Sequence, residues 1–189
     1  MDKAMFVVGA IIAIAFLSIV VWYVARTYIR FRGKRLVTCP ETEKTVAVDV
    51  DATHAALTLG RGIPELRLTS CTRWPERQDC GQECVEQIEL APEECLLRNM
   101  LTKWYEGKAC TYCHKHFGEI HLTDHKPALL NAEHRTVEWS EIPPEKMPEA
   151  LATHLPVCWN CHIAESFRLE HPDLVTDRSM RKTAEVGRR

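Results

Sequence analysis

The segment LPVCWNCHIAESF, residues 155–167, contains the motif C-x-x-C-H at positions 158–162. The same motif occurs earlier, at positions 110–114, within GKACTYCHKHFGEI. Two cysteines separated by two residues can place both sulfurs on one ion or one cofactor. The two motifs therefore raise a structural question: either each pair binds its own cofactor, or both pairs together enclose one metal ion.

A shared zinc ion is the interpretation that the sequence favours. Thiolates are strong zinc ligands, and two C-x-x-C pairs can complete a tetrahedral site with Zn–S bonds of about 2.3 Å. The predicted ligands are Cys110, Cys113, Cys158 and Cys161. Because four protein sulfurs would fill all four positions, the metal would be structural, and its binding would contribute folding free energy.

Two covalently attached haems are an alternative from a different class of protein. C-x-x-C-H is the attachment signature of c-type haem, in which the histidine becomes an axial iron ligand. Under this hypothesis His114 and His162 would bind two haem irons, and the protein would transfer electrons. A third hypothesis is a thiol-redox protein, in which Cys158 and Cys161 at a helix start cycle between dithiol and disulfide.

The order of the C-terminal segments resembles the treble-clef and zinc-ribbon class of metal-binding domains. The first pair precedes a hairpin-like segment at 116–120, and the second pair opens a predicted helix. The resemblance covers residues 108–170 and implies a zinc-stabilised unit. Two features depart from the pattern. The two pairs are 44 residues apart, and histidine stands after each pair where zinc knuckles often have glycine.

The N-terminal residues 5–25 form a run of 21 residues without a charge. A helix of this length would be roughly 31 Å long, which matches the hydrocarbon core of a bilayer. The run is longer than the apolar region of a signal peptide and ends in Trp22 and Tyr23, so a retained single span is predicted. Basic residues without any acid follow it, which predicts a plasma-membrane or inner-membrane protein with a cytoplasmic C-terminal body. These residues are Arg26, Arg30, Arg32, Lys34 and Arg35.

The body that follows the span is acidic. Residues 36–175 carry 13 Lys and Arg against 23 Asp and Glu, a net charge of −10. Such a body repels phosphate backbones, so nucleic-acid binding is not expected. Residues 176–189 carry five basic and two acidic residues and are predicted to form a disordered tail. The expected partners are therefore the membrane itself, through residues 5–25, and another membrane protein.

Hydrophobic periodicity predicts a mixed α+β body. The expected strands are 36–39, 45–50, 64–71, near 117–122 and 135–139. The expected helices are 52–59 with Asp51 as its cap, 82–90, a segment from Pro92 to Gly107, and 158–171 with Ile163, Phe167 and Leu169 facing inward. A Pro-rich connector over 142–148 is expected to separate the last strand from the last helix.

A second set of cysteines lies in the first half of the chain. Cys39 follows a predicted strand, Cys71 ends another, and Cys80 and Cys84 are one helical turn apart. These four thiols could form a second site for zinc or for an iron–sulfur cluster, or could pack as inert small apolar residues. Cys95 falls on a predicted apolar helix face and is expected in the core.

These observations predict an N-terminal single transmembrane helix followed by a small cysteine-rich, metal-stabilised α+β domain. The predicted segments are a membrane anchor and basic stem (1–35), an α+β subdomain (36–107), a treble-clef-like metal-binding unit (108–175) and the tail (176–189). One zinc ion is expected, or two if the second set binds metal. The expected role is an interaction or assembly module of a membrane complex. No small-molecule substrate or catalytic residue is identified, because the sequence contains no phosphate loop, nucleophile elbow or zinc-protease motif.

Overall fold

The computed structural model describes residues 2–77, 79–120, 122, 123 and 125–174. The predicted tail at 176–189 lies outside this range. The elements in chain order are α1 (Asp2–Phe31), β1 (Lys34–Thr38), β2 (Thr45–Val50), α2 (Ala52–Thr58), β3 (Leu68–Cys71), α3 (Val85–Leu90), α4 (Leu97–Tyr105), β4 (Ala128–Leu130), β5 (Thr136–Glu138), α5 (Met147–Thr153), β6 (Leu155–Val157) and α6 (Trp159–Glu170). The mixed α+β class is therefore as expected.

The chain divides into two compact units. Unit 1 comprises the described part of Met1–Lys103 together with Pro144–Lys146, and unit 2 comprises the described part of Trp104–Pro143 and Met147–Arg189.

Helix α1 is long and apolar enough to cross a membrane, as the sequence indicates. The apolar part, Met5–Phe31, has 27 residues, and its most apolar window is wholly unburied in the structure. A signal sequence near the N-terminus would meet the same criteria of length and composition. The end of α1 belongs to the folded body, because Thr27 is buried and Phe31 joins the core of unit 1. The segment expected to be a basic stem is therefore helical up to Phe31 and enters β1 at Lys34.

Arg35, one of the basic residues after the span, is fully buried in β1. Its guanidinium donates hydrogen bonds to the backbone carbonyls of Pro92 and Arg30. Burial lowers the pKa of this guanidinium. Arg35 therefore connects the end of α1, β1 and the segment before α4 within unit 1.

Unit 1 is built on a three-stranded antiparallel sheet in the order β1-β2-β3. Alternating valines of β2 face a core completed by Ile88 of α3 and by Ala55 of α2. Asp51 caps α2 as predicted, since its carboxylate accepts a hydrogen bond of 2.8 Å from the backbone N–H of His54. The strands predicted at 36–39 and 45–50 are confirmed within one or two residues.

Three predicted elements of unit 1 have different bounds. The strand expected over 64–71 is β3, which contains only Leu68–Cys71. The helix expected from Gln82 begins at Val85, because Gln82 has φ of 60° and cannot be part of a right-handed helix. The helix expected from Pro92 begins at Leu97. Its first residues are held at the edge of the sheet instead, since the N–H of Leu36 donates to the carbonyl of Cys95 over 2.8 Å.

Unit 2 contains a second antiparallel sheet in the order β5-β4-β6, followed by α6. The central strand β4 is buried along its whole length. Tyr105, at the end of α4, donates a hydrogen bond of 2.8 Å from its hydroxyl to the carbonyl of Ala128, and its ring contacts that of Phe117 at a tilt of 59°. The strand predicted at 135–139 is confirmed as β5, and the predicted C-terminal helix is α6.

Other expectations for the second half of the chain were wrong. The described part of 117–122 contains no strand, and the strand that pairs with β5 is β4, further along the chain. The expected connector at 142–148 contains a short turn of helix, and α5 begins within it at Met147. Ile163, Phe167 and Leu169 do not face inward, because about half of each side chain is exposed and the buried residue of α6 is His162.

Candidate metal centre

The first cysteine pair lies in a tight turn between Ala109 and His116, which form an isolated antiparallel bridge. The N–H of Cys110 donates to the carbonyl of Lys115, and the N–H of His114 donates to the carbonyl of Cys110, each over 2.9 Å. His114 has φ of 57°. This left-handed conformation is the one that glycine adopts without a steric cost. The histidine that departs from the zinc-knuckle pattern in sequence thus has the backbone conformation of the glycine it replaces.

The second pair lies where β6 meets α6. Cys158 is the residue before the helix and has extended backbone angles, and Cys161 lies in the first helical turn. The N–H of His162 donates to the carbonyl of Cys158 over 2.9 Å, which closes that turn. The strand-to-helix transition therefore turns both thiols of the pair toward the same side.

Backbone contacts bring the two pairs together. Thr111 donates hydrogen bonds of 2.9 Å from both its N–H and its hydroxyl to the carbonyl of Pro156. The N–H of Cys158 points to the sulfur of Cys110 over 3.3 Å. As a result, the four sulfurs of Cys110, Cys113, Cys158 and Cys161 all lie within 4.8 Å of one another.

The spacing of the sulfurs fits a tetrahedral ion. The sulfurs of Cys113 and Cys158 are 3.7 Å apart. A tetrahedron with Zn–S bonds of about 2.3 Å has edges of roughly 3.8 Å. The cluster could therefore hold a metal ion with little rearrangement. Among the residues that the structure describes, no other three Cys, His, Asp or Glu ligand atoms lie this close together.

The thiols of this cluster have opposite tendencies to ionise. Burial disfavours the thiolate of Cys110, but backbone N–H groups, including those of Cys113 and Cys158, lower its pKa to about 7. Burial and the neighbouring thiols raise the pKa of Cys161, and burial raises that of Cys158. At Cys158, burial outweighs the backbone N–H of Cys161 in the first turn of α6, which by itself lowers the pKa. A cation among the sulfurs would offset the mutual repulsion that opposes full ionisation.

Neither histidine of the two motifs belongs to the four-sulfur cluster. His114 is exposed. His162 is buried, with its Nδ1 2.9 Å from the hydroxyl of Thr136 and its Nε2 3.9 Å from a carboxylate oxygen of Glu138. Both ring nitrogens of His162 thus face side chains of β5. The sequence contained no signal for these two partners, which become neighbours only through the sheet.

An open pocket of about 280 Å³ lies beside the second pair. One wall is formed by residues 115–120 and the other by Cys158, Trp159 and Asn160. The pocket was not expected from the sequence, because the segment after the first pair was predicted to be a strand.

The second set of cysteines also meets in space, within unit 1. Cys39, Cys71, Cys80 and Cys84 line one small cavity. Their sulfurs are less closely grouped than those of the first set. Cys95 is partly buried and packs against the core of unit 1, as predicted. Burial raises the pKa of its thiol.

The fold and the site together define a class: a cysteine-rich α+β chain with an apolar N-terminal helix and a four-cysteine cluster that could hold a metal. Comparisons with protein-family models, curated proteins and solved structures found no match.

Proposed function

We propose that this chain is a membrane-anchored protein whose unit 2 is organised by one structural zinc ion, bound by Cys110, Cys113, Cys158 and Cys161. The observation that carries the proposal is the convergence of the two C-x-x-C pairs on one point, with all four sulfurs within 4.8 Å. Four protein ligands fill a tetrahedral zinc site and leave no position for water or substrate. The ion therefore serves stability rather than catalysis.

The order of elements around the cluster supports a treble-clef-like unit. A knuckle carries the first pair, the β4–β5 hairpin follows, and the first turn of α6 carries the last ligand. The left-handed conformation of His114 supports the knuckle despite the absent glycine. In this unit the metal joins the knuckle to the helix, and without it the small core would lose its main cross-link.

The unit acts as an interaction or assembly module on the cytoplasmic side of the membrane, next to a membrane-protein partner. The basic residues Arg26, Arg30 and Arg32 after the apolar segment support this orientation. Exposed apolar side chains of α6, including Ile163 and Phe167, support a binding role, because such residues one turn apart form a contact surface.

The convergence of the pairs favours one shared ion over two haems, because each haem would need a cysteine pair and a histidine to itself. The contacts of His162 with β5 also count against axial ligation. A thiol-redox role has less support, since the raised pKa of Cys158 disfavours its thiolate form.

The test is the metal content and visible spectrum of the full chain, purified in detergent under reducing conditions. We expect a colourless protein that contains zinc, and we expect the double variant Cys113→Ser/Cys161→Ser to lose one equivalent. Cys95→Ser, which removes a thiol outside both clusters, is the matched control and should lose none. A Soret band, or zinc content unchanged in the double variant, would contradict the proposal.

A further inference from the structure

The topology of unit 1 brings its cysteines to one end of the sheet. β1 and β3 are both antiparallel to β2, so they run in the same direction and their last residues lie at the same end. Cys39 directly follows β1, and Cys71 is the last residue of β3. The loop before α3 brings Cys80 and Cys84 to the same place. Cysteines far apart in sequence therefore meet without belonging to any C-x-x-C motif.

The cavity that they line has a volume of about 20 Å³. A cavity of this volume accommodates about one water-sized guest. Cys39 and Cys84 are buried, with 6% and 5% of their surface exposed. The rest of the wall combines apolar side chains, including Val46, Leu68 and Trp74, with the charged residues Glu41, Arg73, Arg77 and Glu83. The site is therefore a small space for one ion, lined by four sulfurs, by apolar side chains and by charged groups of both signs.

The turn at Cys39 repeats the knuckle at Cys110. The N–H of Cys39 donates to the carbonyl of Lys44 and the N–H of Glu43 donates to the carbonyl of Cys39, over 2.9 and 2.8 Å. Glu43 has φ of 55°. The corresponding bonds in unit 2 join Cys110 to residues 115 and 114, at the same spacing along the chain.

The sequence C-P-E-T-E-K at 39–44 aligns with C-T-Y-C-H-K at 110–115. Thr42 takes the position that Cys113 has in the segment 110–115. The sequence alone did not identify this repeat, because one of the two cysteines is absent. The geometry shows that the knuckle persists with a single thiol, and that the remaining thiols come from β3 and the loop before α3.

Donors around the cluster favour sulfur in its thiolate form. A guanidinium nitrogen of Arg73 lies 3.2 Å from the sulfur of Cys39, and the N–H of Gln82 donates to the sulfur of Cys80 over 3.4 Å. Each of these contacts places an N–H group against a sulfur of the set.

We propose that Cys39, Cys71, Cys80 and Cys84 bind a second zinc-class divalent ion, independent of the ion in unit 2. Unlike the sulfurs of the first cluster, those of this set do not all lie within 4.8 Å of one another, so binding an ion requires them to move closer together. The second ion joins the end of β1, the end of β3 and the start of α3. It therefore stabilises the unit into which α1 inserts.

The test is zinc stoichiometry of the full chain in detergent, measured by elemental analysis after purification under reducing conditions. We expect two equivalents in the unaltered chain and one in Cys80→Ser/Cys84→Ser. We also expect one in Cys113→Ser/Cys161→Ser and two in the control Cys95→Ser. One equivalent in the unaltered chain, with none in the unit 2 variant, would overturn the second site and leave the proposed function intact. One equivalent in the unaltered chain that is lost only in Cys80→Ser/Cys84→Ser would contradict the proposed function and leave the second site intact.

Cobalt titration of the unaltered, metal-free chain keeps the test decisive if the variants fail to fold. Co²⁺ bound by thiolates gives sulfur-to-metal charge-transfer absorption. We expect this absorption to increase up to two equivalents of Co²⁺. Saturation of this absorption at one equivalent of Co²⁺ would overturn the second site. So would a thiol count showing that four cysteines are present as disulfides after purification under reducing conditions.

Discussion

The histidines that follow the two cysteine pairs have the same place in the motif but different physical roles. His114 occupies a left-handed turn and is exposed, whereas His162 is buried in α6 against Thr136. A left-handed conformation costs a non-glycine residue roughly 1–2 kcal/mol, while glycine in a helix interior costs about 1 kcal/mol relative to alanine. Substitution by glycine should therefore have opposite effects at the two positions.

We expect His114→Gly to retain the zinc stoichiometry and to raise the free energy of unfolding by up to about 1 kcal/mol, because it removes backbone strain. His162→Gly should lower it by about 2 kcal/mol, from helix propensity and a lost buried hydrogen bond. Denaturant unfolding of the zinc-loaded chain measures both changes, and Trp159, whose ring lies 6.0 Å from that of His162, provides a fluorescence signal. Loss of the metal in His114→Gly would mean that this ring is a ligand.

The residues of the main cluster could be predicted from the sequence, but their supports could not. C-x-x-C spacing identifies Cys110, Cys113, Cys158 and Cys161 because two residues are enough for one turn to carry both sulfurs. Tertiary pairing determines the partners of His162. It also places the carbonyl of Pro156 where both donors of Thr111 reach it. No local pattern in the chain encodes such contacts.

At the scale of elements, the strands that alternate over several residues were predictable, and the shortest ones were not. Val46, Val48 and Val50 alternate within β2, so its position was clear from the sequence. β4 and β6 contain three residues each, too few to establish a period of two. The helix α4 begins later than its apolar pattern suggested because β1 pairs with the residues before it.

Tyr105, the last residue of α4, is held in place within unit 2. It is fully buried, and burial raises the pKa of its hydroxyl, which donates to the carbonyl of Ala128. We expect Tyr105→Phe to lower the free energy of unfolding by about 1–2 kcal/mol, because it leaves a buried carbonyl without this donor. Zinc stoichiometry should not change, since the hydroxyl is not part of the cluster.

The control for Tyr105→Phe is Tyr112→Phe, which removes the hydroxyl of a partly exposed tyrosine within the knuckle. This variant should change the free energy of unfolding by less than about 0.5 kcal/mol. Chemical denaturation of the zinc-loaded proteins compares the two. Equal destabilisation of both variants would mean that the buried hydrogen bond of Tyr105 adds no more stability than the hydroxyl of Tyr112.

At the scale of the whole molecule, α1 is continuous with unit 1. Its final turns pack against α2, where Val24 and Tyr28 face Ala56 and Leu57. The helix has 30 residues, which correspond to roughly 45 Å and exceed a bilayer core of about 30 Å. If α1 spans the bilayer from near Met5, as proposed, its last turns are left for contact with the folded body, and α2 would lie near the level at which α1 leaves the membrane.

This arrangement changes which charges determine orientation. Arg35 is buried and hydrogen-bonded to backbone carbonyls, and Lys34 pairs with Asp49 over 2.9 Å. The basic residues that remain are Arg26, Arg30 and Arg32, on or directly after α1. Since the positive-inside rule acts on basic residues close to the span, we expect these three to keep the C-terminal body in the cytoplasm.

Fusions at the C-terminus test this orientation. A reporter that is active only in the cytoplasm should be active, and alkaline phosphatase, which needs disulfides formed outside the cytoplasm, should be inactive. Replacing Arg26, Arg30 and Arg32 by Gln should increase the fraction of chains with the opposite orientation, whereas Arg35→Gln should lower stability without reorienting the chain. Active alkaline phosphatase on the unaltered chain would place the thiols in an oxidising compartment, where disulfides or attached haem replace zinc as the expected chemistry. The orientation of α1 thus determines which chemistry the nine cysteines of the chain can support.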